Sequence, residues 1–93
     1  MASITLFQDS EFKGPYVTLT KSEKDFKNIP FNDKISSALV ESGVWQIFVD
    51  SDFNGNSVTL AAGGGADGGG KYPTPNSMGG YNDKFSSIKL VGK

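Results

Sequence analysis

Short apolar runs separated by polar turns make up the chain. The runs 4–7 and 45–49 are β-branched and aromatic, as in strands, and further strand-length runs occupy 16–20 and 57–61. Segment 21–28 is mostly charged and short, so it predicts at most a weak helical turn. With about four strand-length pieces in each half, about eight in all, and no crossover helix, the pattern predicts an all-β sandwich. The residues expected to point inward are Val17, Leu19, Ala38, Val40, Val58, Leu60, Ile88 and Leu90, whereas Leu39 and Lys89 are expected to point the other way.

The chain contains an internal repeat. Residues 4–19 align with 45–60 at a shift of 41, with eight of sixteen positions identical. Residues 31–40 align with 81–90 at a shift of 50, with five of ten identical, so the second copy carries nine extra residues. One structural unit is therefore used twice. We expect a single domain over 1–93, with one unit at about 3–43, the other at about 44–93, and a glycine-rich insertion at 61–80.

A polar motif occurs once in each unit. Residues 32–37 read Asn-Asp-Lys-Ile-Ser-Ser, and residues 82–87 read Asn-Asp-Lys-Phe-Ser-Ser. Each copy offers oxygen atoms and no nearby nitrogen or sulfur ligand, which suits a hard cation such as Ca²⁺. A single copy would be explained as well by a polar turn whose side chains bond to the backbone. Duplication in register favours the metal-binding interpretation.

Composition narrows the classes of function. The chain has no histidine and no cysteine, which removes the commonest general base, the commonest transition-metal ligand and any disulfide. A net charge of −1 argues against recruitment by nucleic acid or an anionic membrane. The first residues have neither the basic nor the long apolar segment of a signal peptide. We expect a monomer without nucleic-acid or membrane partners, cytoplasmic unless it is part of a longer protein.

The glycine-rich insertion is the least regular stretch. It holds eight of the twelve glycines, so its backbone loses much entropy on ordering. We expect a flexible and dispensable spacer at its centre, Gly63 to Gly70, with a binding loop as the alternative.

Two other loop motifs are rejected. Residues 50–55 begin like an EF-hand loop, but Ala61 stands where a bidentate Glu is needed. Residues 65–71 have phosphate-loop spacing, but Tyr72 replaces the required Ser or Thr. We expect residues 50–55 to form a hairpin closed by Gly55 at positive φ or at a close backbone approach, as Gly14 does in the first unit.

The chain resembles the βγ-crystallins. In each unit two aromatic residues are separated by four residues, and the second aromatic is followed by one further residue and then by Gly14 or Gly55. A serine occurs later in the unit. This pattern is similar to the Greek-key signature of that family. The duplicated Asn-Asp-x-x-Ser-Ser looks like the calcium motif of the microbial and invertebrate members. The resemblance covers essentially the whole chain, including the junction 42–45. It implies two four-stranded Greek keys that form an eight-stranded sandwich.

The resemblance also implies two Ca²⁺ ions, each shared between the units. One motif would give a carboxylate, and the other would give a backbone carbonyl and a serine hydroxyl. A carbonyl from the first hairpin of a unit would complete each site. The expected ligands are the side chain of Asp83 with Lys34 and Ser36, the side chain of Asp33 with Lys84 and Ser86, and the carbonyls of Gln8 and Val49. For Asn32, Asn82, Ser37 and Ser87, turn and inter-strand hydrogen bonds are favoured over ligation.

The function expected from these features is calcium binding with a structural or calcium-responsive stabilising role and no enzymatic activity. The alternative is a protein-interaction module, similar to an inhibitor or toxin on the same fold, with the glycine-rich loop as its contact surface. An enzyme without His or Cys would need a carboxylate pair or a metal-activated water, and Ca²⁺ activates water poorly.

Overall fold

The computed structural model of the chain describes residues 2–26, 35–65, 68–80 and 85–92. In these ranges it contains strands and short 3₁₀ segments, and no helix is long and apolar enough to cross a bilayer. The expected all-β sandwich is confirmed. The strands are β1 Ser3–Asp9, β2 Lys13–Leu19, β3 Ser37–Ser42, β4 Val44–Asp50, β5 Asn54–Ala61, β6 Lys71–Tyr72 and β7 Ser87–Gly92, and the 3₁₀-helix is Pro75–Met78.

The strands form two antiparallel sheets. The first sheet has the order β2-β1-β3-β6, and the second has the order β5-β4-β7. In the first sheet the hairpin of β1 and β2 lies beside β3, the last strand of the first unit. In the second sheet the hairpin of β4 and β5 lies beside β7, the last strand of the second unit. This repetition is the structural counterpart of the sequence repeat.

Each sheet is completed by a piece of the other unit. β6, from the second unit, pairs with β3 through Ala38 and Leu39 in the first sheet. In return Glu23, from the first unit, bridges Ile88 in the second sheet, with both backbone hydrogen bonds at 2.9 Å. The eighth strand position is therefore occupied by a single-residue bridge among the described residues. The two units cannot separate without breaking ladder hydrogen bonds, which are costly to leave unpaired in a buried setting.

In the segment 21–28, residues 21–25 are not helical, Phe26 has 3₁₀ conformation, and residues 27–28 lie outside the described residues, so the helical turn stays a prediction. The backbone of the segment pairs with β7 at Glu23, and the Ser22 hydroxyl accepts the Leu90 N–H at 2.8 Å. Glu23 lies in a bridge because the open edge of the second sheet offers it regular backbone partners, and eight mostly charged residues have little helix stability of their own.

The core lies between the sheets and follows the predicted alternation. Ala38, Val40, Leu60 and Ile88 are buried, while Lys89 is exposed. Burial of these inward faces supplies most of the favourable free energy of folding. Completely buried large side chains include Trp45, Phe26, Phe85, Ile4, Leu6, Ile35, Ile47 and Met78, and Val17, Leu19, Val58 and Leu90 pack against them partly buried.

The glycine-rich insertion is packed into the fold at its carboxyl end. Gly70 is buried, its carbonyl accepts the Val40 N–H at 2.8 Å, and its own N–H donates to the Gly64 carbonyl at 2.8 Å. A Cβ at Gly70 would overlap the Val40 carbonyl oxygen, and the φ of +76° is left-handed. The expectation of a flexible spacer over Gly63 to Gly70 is therefore wrong at Gly70, while its dispensability stays a prediction. Glycine is needed there because the two backbones approach too closely for a side chain.

Candidate metal centre

The hairpin between β1 and β2 is folded over in an unusual backbone conformation. Glu11 and Phe12 have φ near +60° (59° and 60°), and Gly14 has φ of 78°. Non-glycine residues seldom adopt this left-handed region, so the surrounding contacts have to hold them there. The Phe12 ring meets Phe7 edge-on, with centroids 5.7 Å apart. The positive φ expected at Gly14 is confirmed.

Ser37 supplies the contacts that hold this hairpin. Its buried hydroxyl donates to the Asp9 carbonyl at 2.6 Å and accepts the Phe12 N–H at 3.1 Å. Both of its hydrogen-bonding roles are thus used inside the fold. These bonds agree with the structural role expected for Ser37 and leave it poorly placed as a metal ligand.

The second unit repeats this arrangement. Ser87 donates to the Asp50 carbonyl at 2.5 Å and accepts the Phe53 N–H at 3.1 Å. Asp52 and Phe53 have φ of 58° and 59°, and Gly55 has φ of 78°, as expected for it. Two independent copies of one geometry show that the late serine of each unit fixes its hairpin.

Each hairpin is also held by the opposite unit, a feature without a sequence signal. The Glu11 N–H donates to the Pro73 carbonyl at 2.7 Å, and the Asp52 N–H donates to the Lys24 carbonyl at 2.6 Å. Sequence reasoning missed these contacts because backbone carbonyls are present at every residue and only the fold selects which are used.

The two expected hairpin ligands, Gln8 and Val49, lie at β-bulges. The pairing register shifts between Phe7 and Asp9 in the first unit and between Phe48 and Asp50 in the second. A bulged residue leaves the regular ladder, so its peptide groups can point in a new direction.

The motif serines are fixed beside these bulges. The Ser36 N–H donates to the Phe7 carbonyl at 3.0 Å, and the Ser86 N–H donates to the Phe48 carbonyl at 2.8 Å. Each bond places the serine next to the residue that follows the aromatic, which is Gln8 or Val49. Ser36 is 8% exposed, and Ser86 is partly buried. The fold therefore brings Ser36 together with Gln8, and Ser86 together with Val49.

The remaining expected ligands, Asp33, Lys34, Asp83 and Lys84, lie outside the described residues, as do Asn32 and Asn82. The residues that follow them, Ile35 and Phe85, are fully buried and fix the carboxyl end of each stretch.

One contact links the first unit to the second motif. The Phe26 N–H donates to the Ser86 carbonyl at 2.8 Å. Phe26 is the last described residue before the stretch that contains Asp33. The first unit therefore lies beside the motif of the second unit at Phe26.

The donor set of the described residues fits a hard cation. The serine hydroxyls and the nearby backbone carbonyls are oxygen donors, which Ca²⁺ accepts in flexible geometry and Zn²⁺ does not favour. Within the described ranges, no group of three or more His, Cys, Asp or Glu residues is placed to hold a metal ion. A calcium site beside Ser36 or Ser86 would also need a carboxylate, and the sequence motif offers Asp33 and Asp83 for that part.

Comparison with known proteins gives a consistent relationship. The beta/gamma crystallin family model matches residues 3–91. A beta/gamma-crystallin of Ciona intestinalis is 44% identical over 89 residues, which is 96% of this chain and 98% of that protein. Gamma-crystallin N of Rattus norvegicus is 30% identical over 96% of this chain, and the match spans only 45% of that longer protein.

Solved structures extend this likeness to the fold. The Ciona intestinalis crystallin superposes with a TM-score of 0.85 at 43% identity, over 96% of this chain and 99% of that one. A βγ-crystallin from an archaeon superposes with a TM-score of 0.82 at 26% identity, over 97% of this chain and 98% of that one. The family model matches nearly the whole chain, the identity to a single-domain relative is high, and the two-sheet architecture agrees with both. The chain belongs to the βγ-crystallin family.

Proposed function

We propose that this βγ-crystallin domain binds two Ca²⁺ ions and is stabilised by them. The observation that carries the proposal is the twofold placement of a motif serine beside a bulged hairpin residue, Ser36 beside Gln8 and Ser86 beside Val49. Such a pair would supply a hydroxyl and a carbonyl oxygen to one ion, and both are ligand types that Ca²⁺ accepts.

The rest of each site comes from the duplicated motif. Ser36 and the Lys34 carbonyl would share an ion with the Asp83 carboxylate, and Ser86 and the Lys84 carbonyl would share the other with Asp33. The lysine side chains would repel the ion, so only their carbonyls can serve as ligands. The Phe26 to Ser86 hydrogen bond supports the sharing because it draws the first unit to the second motif. One carboxylate among neutral oxygens predicts affinity toward the micromolar end of the sensor range or weaker.

The proposed role is structural and not enzymatic. The chain has no His or Cys, and the two candidate carboxylates, Asp33 and Asp83, would each be engaged by a Ca²⁺ ion, which activates water poorly. The alternative of an interaction module that uses the glycine-rich insertion has less support, because Gly70 is already bonded to Val40 in the core of the first sheet.

Isothermal titration of chelator-treated protein with Ca²⁺ and with Mg²⁺ tests the proposal. We expect two calcium sites and much weaker binding of Mg²⁺, whose rigid octahedron suits such mixed ligands poorly. Ser36→Arg should remove one site, whereas Thr20→Arg, at an exposed position outside the motifs, should leave both. Absence of calcium binding by the unmodified chain, or loss of a site in both variants, would disprove the proposal.

A further inference from the structure

β5 forms one edge of the second sheet, and part of its backbone faces away from the sheet. The central strand β4 alternates in its bonding between β5 and β7. The Phe48 carbonyl accepts the Ser86 N–H, so the backbone groups of Phe48 point to the β7 side. Residues at odd spacing from Phe48 along β4, which are Ile47 and Trp45, therefore bond to β5. Their partners Leu60 and Val58 therefore point toward β4.

The residues between these partners point outward. Ser57 and Thr59 direct their N–H and C=O groups away from β4, and no backbone partner for them occurs among the described residues. The next outward group, the Ala61 N–H, is already bonded to the Tyr72 hydroxyl at 3.0 Å. The open part of the edge is therefore the stretch around Val58. Unpaired edge groups of this kind are a template for pairing with another strand.

The internal repeat supplies a matched edge that is protected. β2 occupies the same place in the first sheet and carries Lys13 and Pro15, with Lys21 just beyond it. Lysine and proline on an edge strand oppose strand addition. The equivalent positions in β5 are Asn54 and Asn56, and residues 54–65 contain no charged residue at all.

We propose that β5 pairs antiparallel with β5 of a second copy of this chain. A twofold axis at Val58 places Ser57 opposite Thr59 of the second copy and Thr59 opposite Ser57 of the second copy. All four are outward-facing residues, so both pairs can exchange two main-chain hydrogen bonds. The two three-stranded sheets then form a continuous sheet of twice the width.

A second copy is the occupant that the charge distribution favours. Antiparallel self-pairing brings each uncharged edge against an identical uncharged edge, so no like charges meet. The hydroxyl side chains of Ser57 and Thr59 are small enough to lie side by side across the junction. The same pairing of β2 would bring Lys13 and Pro15 of both copies to the edge.

The association is weak and depends on concentration. A junction of two short strands buries far less surface than the roughly 1,200 Å² or more of a stable interface. The proposal therefore predicts a monomer in dilute solution and dimers as the concentration rises.

Disulfide trapping tests the register, since the chain has no cysteine of its own. The double variant Ser57→Cys/Thr59→Cys places thiols on paired residues whose Cα atoms would lie about 5.5 Å apart, within the disulfide range. Its control is Tyr16→Cys/Thr18→Cys, at the matching positions of β2. We expect mild oxidation to crosslink the β5 variant into dimers much faster than the β2 variant. Equal rates, or no dimer from the β5 variant, would refute the proposal.

Sedimentation of chains without added cysteine tests the association itself. The apparent mass of the unmodified chain should rise with concentration, in calcium and in chelator alike. Thr59→Lys should abolish that rise, because two added charges meet diagonally across the twofold axis, and Thr18→Lys should not. Far-ultraviolet circular dichroism confirms that each variant is folded. A constant monomer mass, or loss of association in Thr18→Lys alone, would overturn the proposal.

Discussion

Gly70→Ala should destabilise the fold strongly, although its glycine-rich sequence context predicts a flexible loop. Two effects add. An alanine at the left-handed φ of +76° costs about 1–2 kcal/mol. Its Cβ would also overlap the Val40 carbonyl oxygen, so β3 and the insertion must move apart. That movement weakens the Val40 to Gly70 hydrogen bond, whose net worth is about 0.5–1.5 kcal/mol.

The sum predicts a loss of roughly 2–3 kcal/mol in the free energy of unfolding. For a domain of this size, that corresponds to a fall in Tm of about 10–20 °C. Thermal and urea unfolding measure both quantities, with chelator present so that bound calcium does not contribute.

Gly63→Ala is the matched control in the same insertion. A Cβ there has no neighbouring atom within 4 Å among those of the described residues, and the φ of Gly63 is outside the left-handed region. Its stability should stay within about 0.5 kcal/mol of the original or rise slightly, since alanine restricts the unfolded chain. If Gly70→Ala were as stable as Gly63→Ala, the insertion would be a spacer and its packing against β3 would be unimportant.

Three further predictions concern the serines and the proposed ions. Ser37→Ala and Ser87→Ala should each lower the free energy of unfolding by roughly 2–3 kcal/mol in urea titrations, because a buried N–H and a carbonyl lose their partner. A loss no larger than that caused by replacing an exposed serine would contradict the conclusion that these serines hold the hairpins. Calcium at a hundredfold excess over Kd should add about 2.7 kcal/mol per site, or roughly ten degrees or more in Tm, and an unchanged melting curve would exclude stabilisation by calcium. Ser36→Arg and Asp83→Ala should impair the same ion, so melting curves with and without calcium should show the double variant little worse than either single one. Fully additive losses, with each single variant losing a different ion, would instead mean that each motif builds its own site.

The sequence by itself determined the features that depend on neighbouring residues. Alternation of apolar and polar side chains predicted that Ala38, Val40 and Ile88 face the core, and they do. Glycine at the end of a polar hairpin predicted positive φ at Gly14 and Gly55, and both have it. The repeat predicted two like units. These signals are local because strand period and turn conformation are set by a residue and its immediate neighbours.

Tertiary structure alone decided which distant segments meet. Glu23 pairs with Ile88, and β6 pairs with β3, although neither segment carries the alternation of a strand. The glycine-rich sequence before β6 predicted a flexible spacer, yet Gly70 is buried and bonded to Val40. Each sheet had an edge that the other unit could complete, and backbone hydrogen bonding does not depend on side-chain type. The candidate site follows the same rule. The motif predicted Ser36 as a candidate ligand, but only the bulge of β1 and the hydrogen bond to Phe7 place it next to Gln8.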